Sequence, residues 1–157
     1  MVKKNASFSL IELLVFVSIL SIFFIMAASV VTVSLRNMKF NEHKIKATHY
    51  ANQLEEWLRT QKEIDWVSFT QSASQQGDVF NNFQTTFCFN SSPIDNWQNL
   101  DSCTAYDLDS LFKREVVFTS ESVLNFIGQV NVAIIVSWDE LGQVKSVVNN
   151  TVFTILE

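Results

Sequence analysis

From Phe8 to Leu35 the chain reads FSLIELLVFVSILSIFFIMAASVVTVSL, and its one charge is Glu12; the next charged residue is Arg36. Residues Leu13–Leu35 alone would form a helix of roughly 34 Å at 1.5 Å per residue. That is enough to cross a hydrocarbon core of about 30 Å. The run contains no Gly or Pro to interrupt it. The pattern predicts a transmembrane helix over residues 8–35. Further on, Ala47, Tyr50, Ala51, Leu54, Trp57 and Leu58 recur at helical spacing, with Glu55, Glu56, Arg59 and Lys62 between or after them. One continuous helix to about Thr60 is therefore expected, bare and apolar in its first half and amphipathic over residues 36–60.

Residues 61–112 are polar, rich in Asn, Gln and Ser, and hold the single proline, Pro93. They read as a variable loop with a short strand at Thr85–Phe89. After Phe112 the period changes to two. Val116 and Phe118 alternate with polar neighbours, and Val132, Ile134, Val136 and Trp138 share one face. Asp139-Glu140-Leu141-Gly142 marks a turn, after which Val144, Ser146 and Val148 continue the alternation. Residues 113–157 thus read as an antiparallel meander with a longer connection around Gly128. The expected class is α+β, a long N-terminal helix packed on a C-terminal antiparallel sheet of three to four strands.

At 157 residues there is room for one domain besides the membrane helix. The formal charge of −5 argues against a general nucleic-acid binder, which would need a basic face. No internal repeat or low-complexity tract is present.

The block Phe8-Ser9-Leu10-Ile11-Glu12-Leu13, behind Lys3 and Lys4, resembles the processing and methylation motif of type IV prepilins and pseudopilins. A carboxylate near the start of a membrane span is costly and rarely incidental. The resemblance implies a leader over residues 1–7, cleavage between Ser7 and Phe8 by a prepilin peptidase, N-methylation of Phe8 and an assembly role for Glu12. Ser7 stands where the family prefers Gly. The order V-x-I-x-V-x-W, acidic turn, V-x-S-V is similar to the C-terminal sheet of minor pilins and small pseudopilins. The partners implied are the peptidase, other pilin or pseudopilin subunits, the inner membrane and an assembly platform. The implied topology is a single pass with the N-terminus cytoplasmic and residues 36–157 extracytoplasmic, later carried into a filament.

Charge alone points the other way. Arg36, Lys39, Lys44 and Lys46 outnumber Lys3 and Lys4, which favours a cytoplasmic C-terminal side. Cys88 and Cys103 side with the resemblance. In an exported chain, two cysteines closing a loop of about 15 residues read as a disulfide, the other reading being two buried thiols.

Within the span, Ser18, Ser21, Ala28, Ser29 and Thr32 fall within one arc. They suit close helix packing in lipid and equally suit hydroxyls bonding back to the preceding turn.

Little else carries chemistry. His43 and His49 are six apart and read as solvated helix residues. Asp101, Asp107 and Asp109 could approach a calcium ion, but without the spacing and Gly of an EF-hand they read as a solvated acidic loop. Cys88 and Cys103 lack a Cys/His set for zinc. Asn90-Ser91-Ser92 and Asn149-Asn150-Thr151 fit the glycosylation pattern, which is common by chance. No nucleophile stands at a readable spacing from a base, and no phosphate loop is present. The expectation is a structural subunit with no cofactor, no metal, no catalytic residue and no nucleic-acid partner. The rival readings are a tip adhesin or DNA-uptake subunit and a membrane-anchored extracytoplasmic domain outside any filament. For the hydrophobic run itself, the plainer alternatives are a signal anchor and a signal peptide cut near Ala27-Ala28-Ser29.

Overall fold

The computed structural model describes residues 9–75, 82–123 and 126–155. Helix α1 runs from Leu10 to Ile64, 55 residues without Gly or Pro. The chain divides into two compact units, Met1–Asn41 and Glu42–Glu157. In the first, α1 exposes its large side chains from Leu10 to Met38 almost without exception. It is the one helix among the described residues long and apolar enough to cross a membrane. Ser18, Ser21 and Thr32 donate their hydroxyls to the carbonyls of Leu14, Val17 and Ala28 at 2.8, 2.8 and 2.9 Å. The back-bonding expected of this arc is therefore present, and it needs no second helix.

The second unit begins within α1. Ala47, Ala51, Leu54 and Leu58 are fully buried, one stripe at i, i+4, i+7, i+11, with Tyr50 and Trp57 half-buried on its flanks. The two alanines end at Cβ and let the helix backbone approach the strands beneath it. At Asp65 the backbone turns extended, with φ −161°. The Asp65 carboxylate caps helix α2 (Trp66–Ser74), accepting from the Val67 and Ser68 amides at 3.1 and 3.2 Å and from the Ser68 hydroxyl. The Ser68 hydroxyl first, and then the Val67 amide, hold the Asp65 carboxyl below its ordinary value. Helix α2 ends at Gln75 in the left-handed conformation, φ 57°.

Five strands follow: β1 Gln84–Cys88, β2 Asn99–Leu100, β3 Phe112–Val123, β4 Phe126–Glu140 and β5 Gln143–Thr154. They form one antiparallel sheet in the order β2-β1-β3-β4-β5. The register pairs Phe112 with Trp138, Val116 with Ile134 and Phe118 with Val132, so the bulky residues of β3 and β4 fall on one face. That face packs under the helices. Trp97 lies at its centre with ring centroids 5.5–6.1 Å from Trp57, Phe69, Phe87, Phe89 and Phe118. Trp66 of α2 donates its indole N–H to the Ile127 carbonyl at 3.0 Å and so ties the short helix to β4.

Four expectations are corrected. The sheet has five strands where three to four were expected, because β1 recruits the two-residue β2 onto its free edge. Two residues carry no alternation to read. Residues 61–112 are more than a loop: they hold the end of α1, all of α2, and β1 and β2. Trp66, Phe69, Thr70 and Ala73 bury one face of α2 at helical spacing, a signal masked by the polar residues around it. Gly128 lies inside β4, which starts at Phe126, so the β3–β4 connection comes before it. The short strand expected at Thr85–Phe89 falls at Gln84–Cys88, one residue earlier.

Candidate functional site

The residues singled out by the sequence fall in two places. Ser7 and Phe8 lie outside the described residues. Glu12 sits in the first turn of α1, where Ser9 opens the helix: its carbonyl accepts from the Glu12 and Leu13 amides at 3.0 and 3.2 Å. An acid in the first turn faces the positive end of the helix dipole.

The second place is the edge of the sheet around Cys88 and Cys103. They are joined by a disulfide with an S–S length of 2.08 Å and a Cα–Cα separation of 4.9 Å. The bond ties the end of β1 to the segment before β3. The same segment is held by Glu115, which accepts from the Cys103 amide at 2.8 Å and pairs with Lys113 at 3.4 Å. Asn90 is engaged at both ends of its side chain. Its Oδ1 accepts from the Arg114 amide at 2.9 Å, and its Nδ2 donates to the Ala105 carbonyl at 3.0 Å.

Beneath this loop lies a residue that the sequence reading missed. Arg114 on β3 is 0% exposed. Its guanidinium donates through Nε to the Phe89 carbonyl, through Nη1 to the Tyr50 carbonyl and through Nη2 to the Ser91 carbonyl, each at 2.8 Å. Nη1 also reaches Gln53 Oε1 at 3.3 Å. Neutral oxygens from α1 and from the loop after β1 thus surround a charge removed from water. Burial pushes the Arg114 pKa down to about 10. Strand parity was the available signal: Arg114 falls between Phe112 and Val116 on the inward-facing series of β3.

His43, expected to be solvated, is half-buried, its ring edge-on to Phe112 and Trp138 at 6.1 and 6.4 Å. Burial follows from its place one turn before Ala47 on the packed stripe. His49 is exposed. Asp101, Asp107 and Asp109 are exposed too. Desolvation first, and then the Asp109 carboxylate beside the ring, raise the Tyr50 pKa. No group of three or more His, Cys, Asp or Glu among the described residues could hold a metal ion. Asn149, in the second glycosylation-like triplet, donates to Glu55 Oε2 of α1 at 2.6 Å.

A long N-terminal apolar helix, continued as the packed helix of an antiparallel sheet, is an α+β layout of pilin-like type. Residues 2–28 match the family model described as the prokaryotic N-terminal methylation motif, which supports a type IV pilin-like or pseudopilin family. No curated protein and no solved structure gives a significant match. The motif and the apolar helix together fit membrane anchoring, and the motif points to a structural subunit.

Proposed function

We propose that this chain is a minor pilin or pseudopilin, a structural subunit of a type IV pilus or type II secretion filament. In this reading residues 1–7 are a leader that prepilin peptidase removes. Phe8 becomes the methylated N-terminus, residues 8–35 span the inner membrane, and residues 36–157 form the extracytoplasmic part. The observation that carries it is the methylation motif at residues 2–28, placed at the head of an uninterrupted 55-residue helix. Two further features support it. The Cys88–Cys103 bond suits an oxidising compartment, hence a cytoplasmic N-terminus. An early Glu12 has a function in an assembling helix: it pairs with the new amine on Phe8 of a neighbouring subunit and sets axial register, each group easing the other's poor solvation.

Mass spectrometry of the mature N-terminus, in cells with active prepilin peptidase, tests the proposal. A methylated Phe8 is expected. An intact Met1, or a terminus near Val30, would refute it.

A further inference from the structure

The β4–β5 hairpin breaks two local rules at one residue. Leu141 and Gly142 are the central residues of a two-residue connection between Glu140 and Gln143, and both have positive φ, 56° and 77°. Connections of this kind favour Asn-Gly or Asp-Gly, because an ordinary side chain is strained there. Leu141 is also 85% exposed, the most exposed large apolar side chain among the described residues. Asn at this position would relieve the strain and remove the exposed hydrocarbon together. A residue that breaks local preference with no internal compensation marks an external contact.

The same chain carries a receptor for it. Val132, Ile134, Val116 and Phe118 are buried under the helices, so their alternates on β3 and β4 face the opposite side of the sheet. There the register sets Val117 beside Ala133 and Asn150, and Thr119 beside Asn131 and Val152. Ala133 contributes only a methyl, which leaves a depression of about 230 Å³ lined by these six residues together with Val132 and Thr151. Leu141 cannot fill its own depression, since eight residue steps along the strand, about 26 Å, separate it from Ala133.

We propose that Leu141 of one copy seats in the Ala133 depression of a second copy, a head-to-tail contact that leaves both copies pointing the same way. Charge favours this pairing. The chain is acidic at −5 and Asp139 stands beside Leu141, yet no charged residue lines the depression. The Asn131 and Asn150 amides at its rim offer donors to that carboxylate. One leucine buries far less than the roughly 800 Å² per partner of a specific interface. The contact therefore acts between copies already held together by another element, where effective concentration replaces affinity. A head-to-tail contact does not close on itself, and so it propagates. The inference rests on the filament reading.

The test compares Leu141→Asn, Ala133→Leu and wild type in the full chain. Leu141→Asn is expected to raise Tm by about 2–5 °C and to lower the amount of protein in sheared filaments. Ala133→Leu, which fills the depression, is expected to give the same assembly loss with Tm near wild type. A lowered Tm for Leu141→Asn, or wild-type incorporation of both variants, overturns the inference. Co-expressed Leu141→Cys and Asn150→Cys chains should form a mixed disulfide dimer, scored in both filament and membrane fractions. A product linking two Leu141→Cys chains, or no product in either fraction, also overturns it. The filament reading is judged separately, by whether wild-type protein enters the sheared fraction at all.

Discussion

Replacing Arg114 with Met keeps a long side chain in the interior of the sheet face while removing every guanidinium donor. Three main-chain carbonyls lose hydrogen bonds of 2.8 Å: that of Phe89 in the buried interior, that of Ser91 on an exposed residue, and that of Tyr50, which keeps its helical bond within α1. Each orphaned acceptor costs about 1–3 kcal/mol. Relief from burying a charge returns part of this, since a guanidinium in a desolvated site is itself unfavourable. The balance is a destabilisation of about 2–3 kcal/mol, a sizeable share of the roughly 5–15 kcal/mol that holds a domain together. Arg114→Lys keeps the charge, but a point ammonium cannot span three diverging carbonyls, so it should lose nearly as much. Urea denaturation of residues 42–157, with the disulfide intact, measures both. Arg114 also predicts what pH does. Its folded pKa is depressed, so below about 10 it is protonated both folded and unfolded and adds no slope to stability. A loss under about 1 kcal/mol for Arg114→Met would refute the view that the carbonyls depend on it.

The exported protein should show no free thiols before reduction. Replacing both Cys88 and Cys103 with Ser should cost roughly 3 kcal/mol in the chain-entropy model, read as a lower urea midpoint. Glu12→Gln and Glu12→Ala should leave export and cleavage nearly intact and reduce incorporation into filaments. Wild-type levels of both variants in sheared material would remove Glu12 from assembly. Asp65→Ala should lower Tm near neutral pH. The Asp65 carboxyl is lowered in the folded state, so its contribution is full above its ordinary value of 3.8 and disappears as pH falls through the lower folded value. The variant and wild type should therefore converge in acid. Ser7→Gly should speed leader removal, measured by pulse-chase.

Several elements were legible because their signal is periodic and local. The long apolar helix follows from a run with one charge and no Gly or Pro. The packed stripe of α1 follows from helical spacing, and all of Ala47, Ala51, Leu54 and Leu58 are buried. Val132, Ile134, Val136 and Trp138 alternate on paper and point inward together, because side-chain direction in a strand has a period of two. What the sequence could not determine depends on residues far apart in the chain. Strand β2 exists because Phe87 and Cys88 meet Leu100 and Asn99, and two residues alone have no preference to be a strand. Arg114 stands on the inward series, yet it can be buried only because carbonyls from residues 50, 89 and 91 converge on it. His43 looks like any surface residue until Phe112 and Trp138 arrive from β3 and β4 to cover it. Periodicity is a property of neighbours along the chain and is readable there. The satisfaction of a buried polar group is a property of neighbours in space, and only the tertiary structure supplies them.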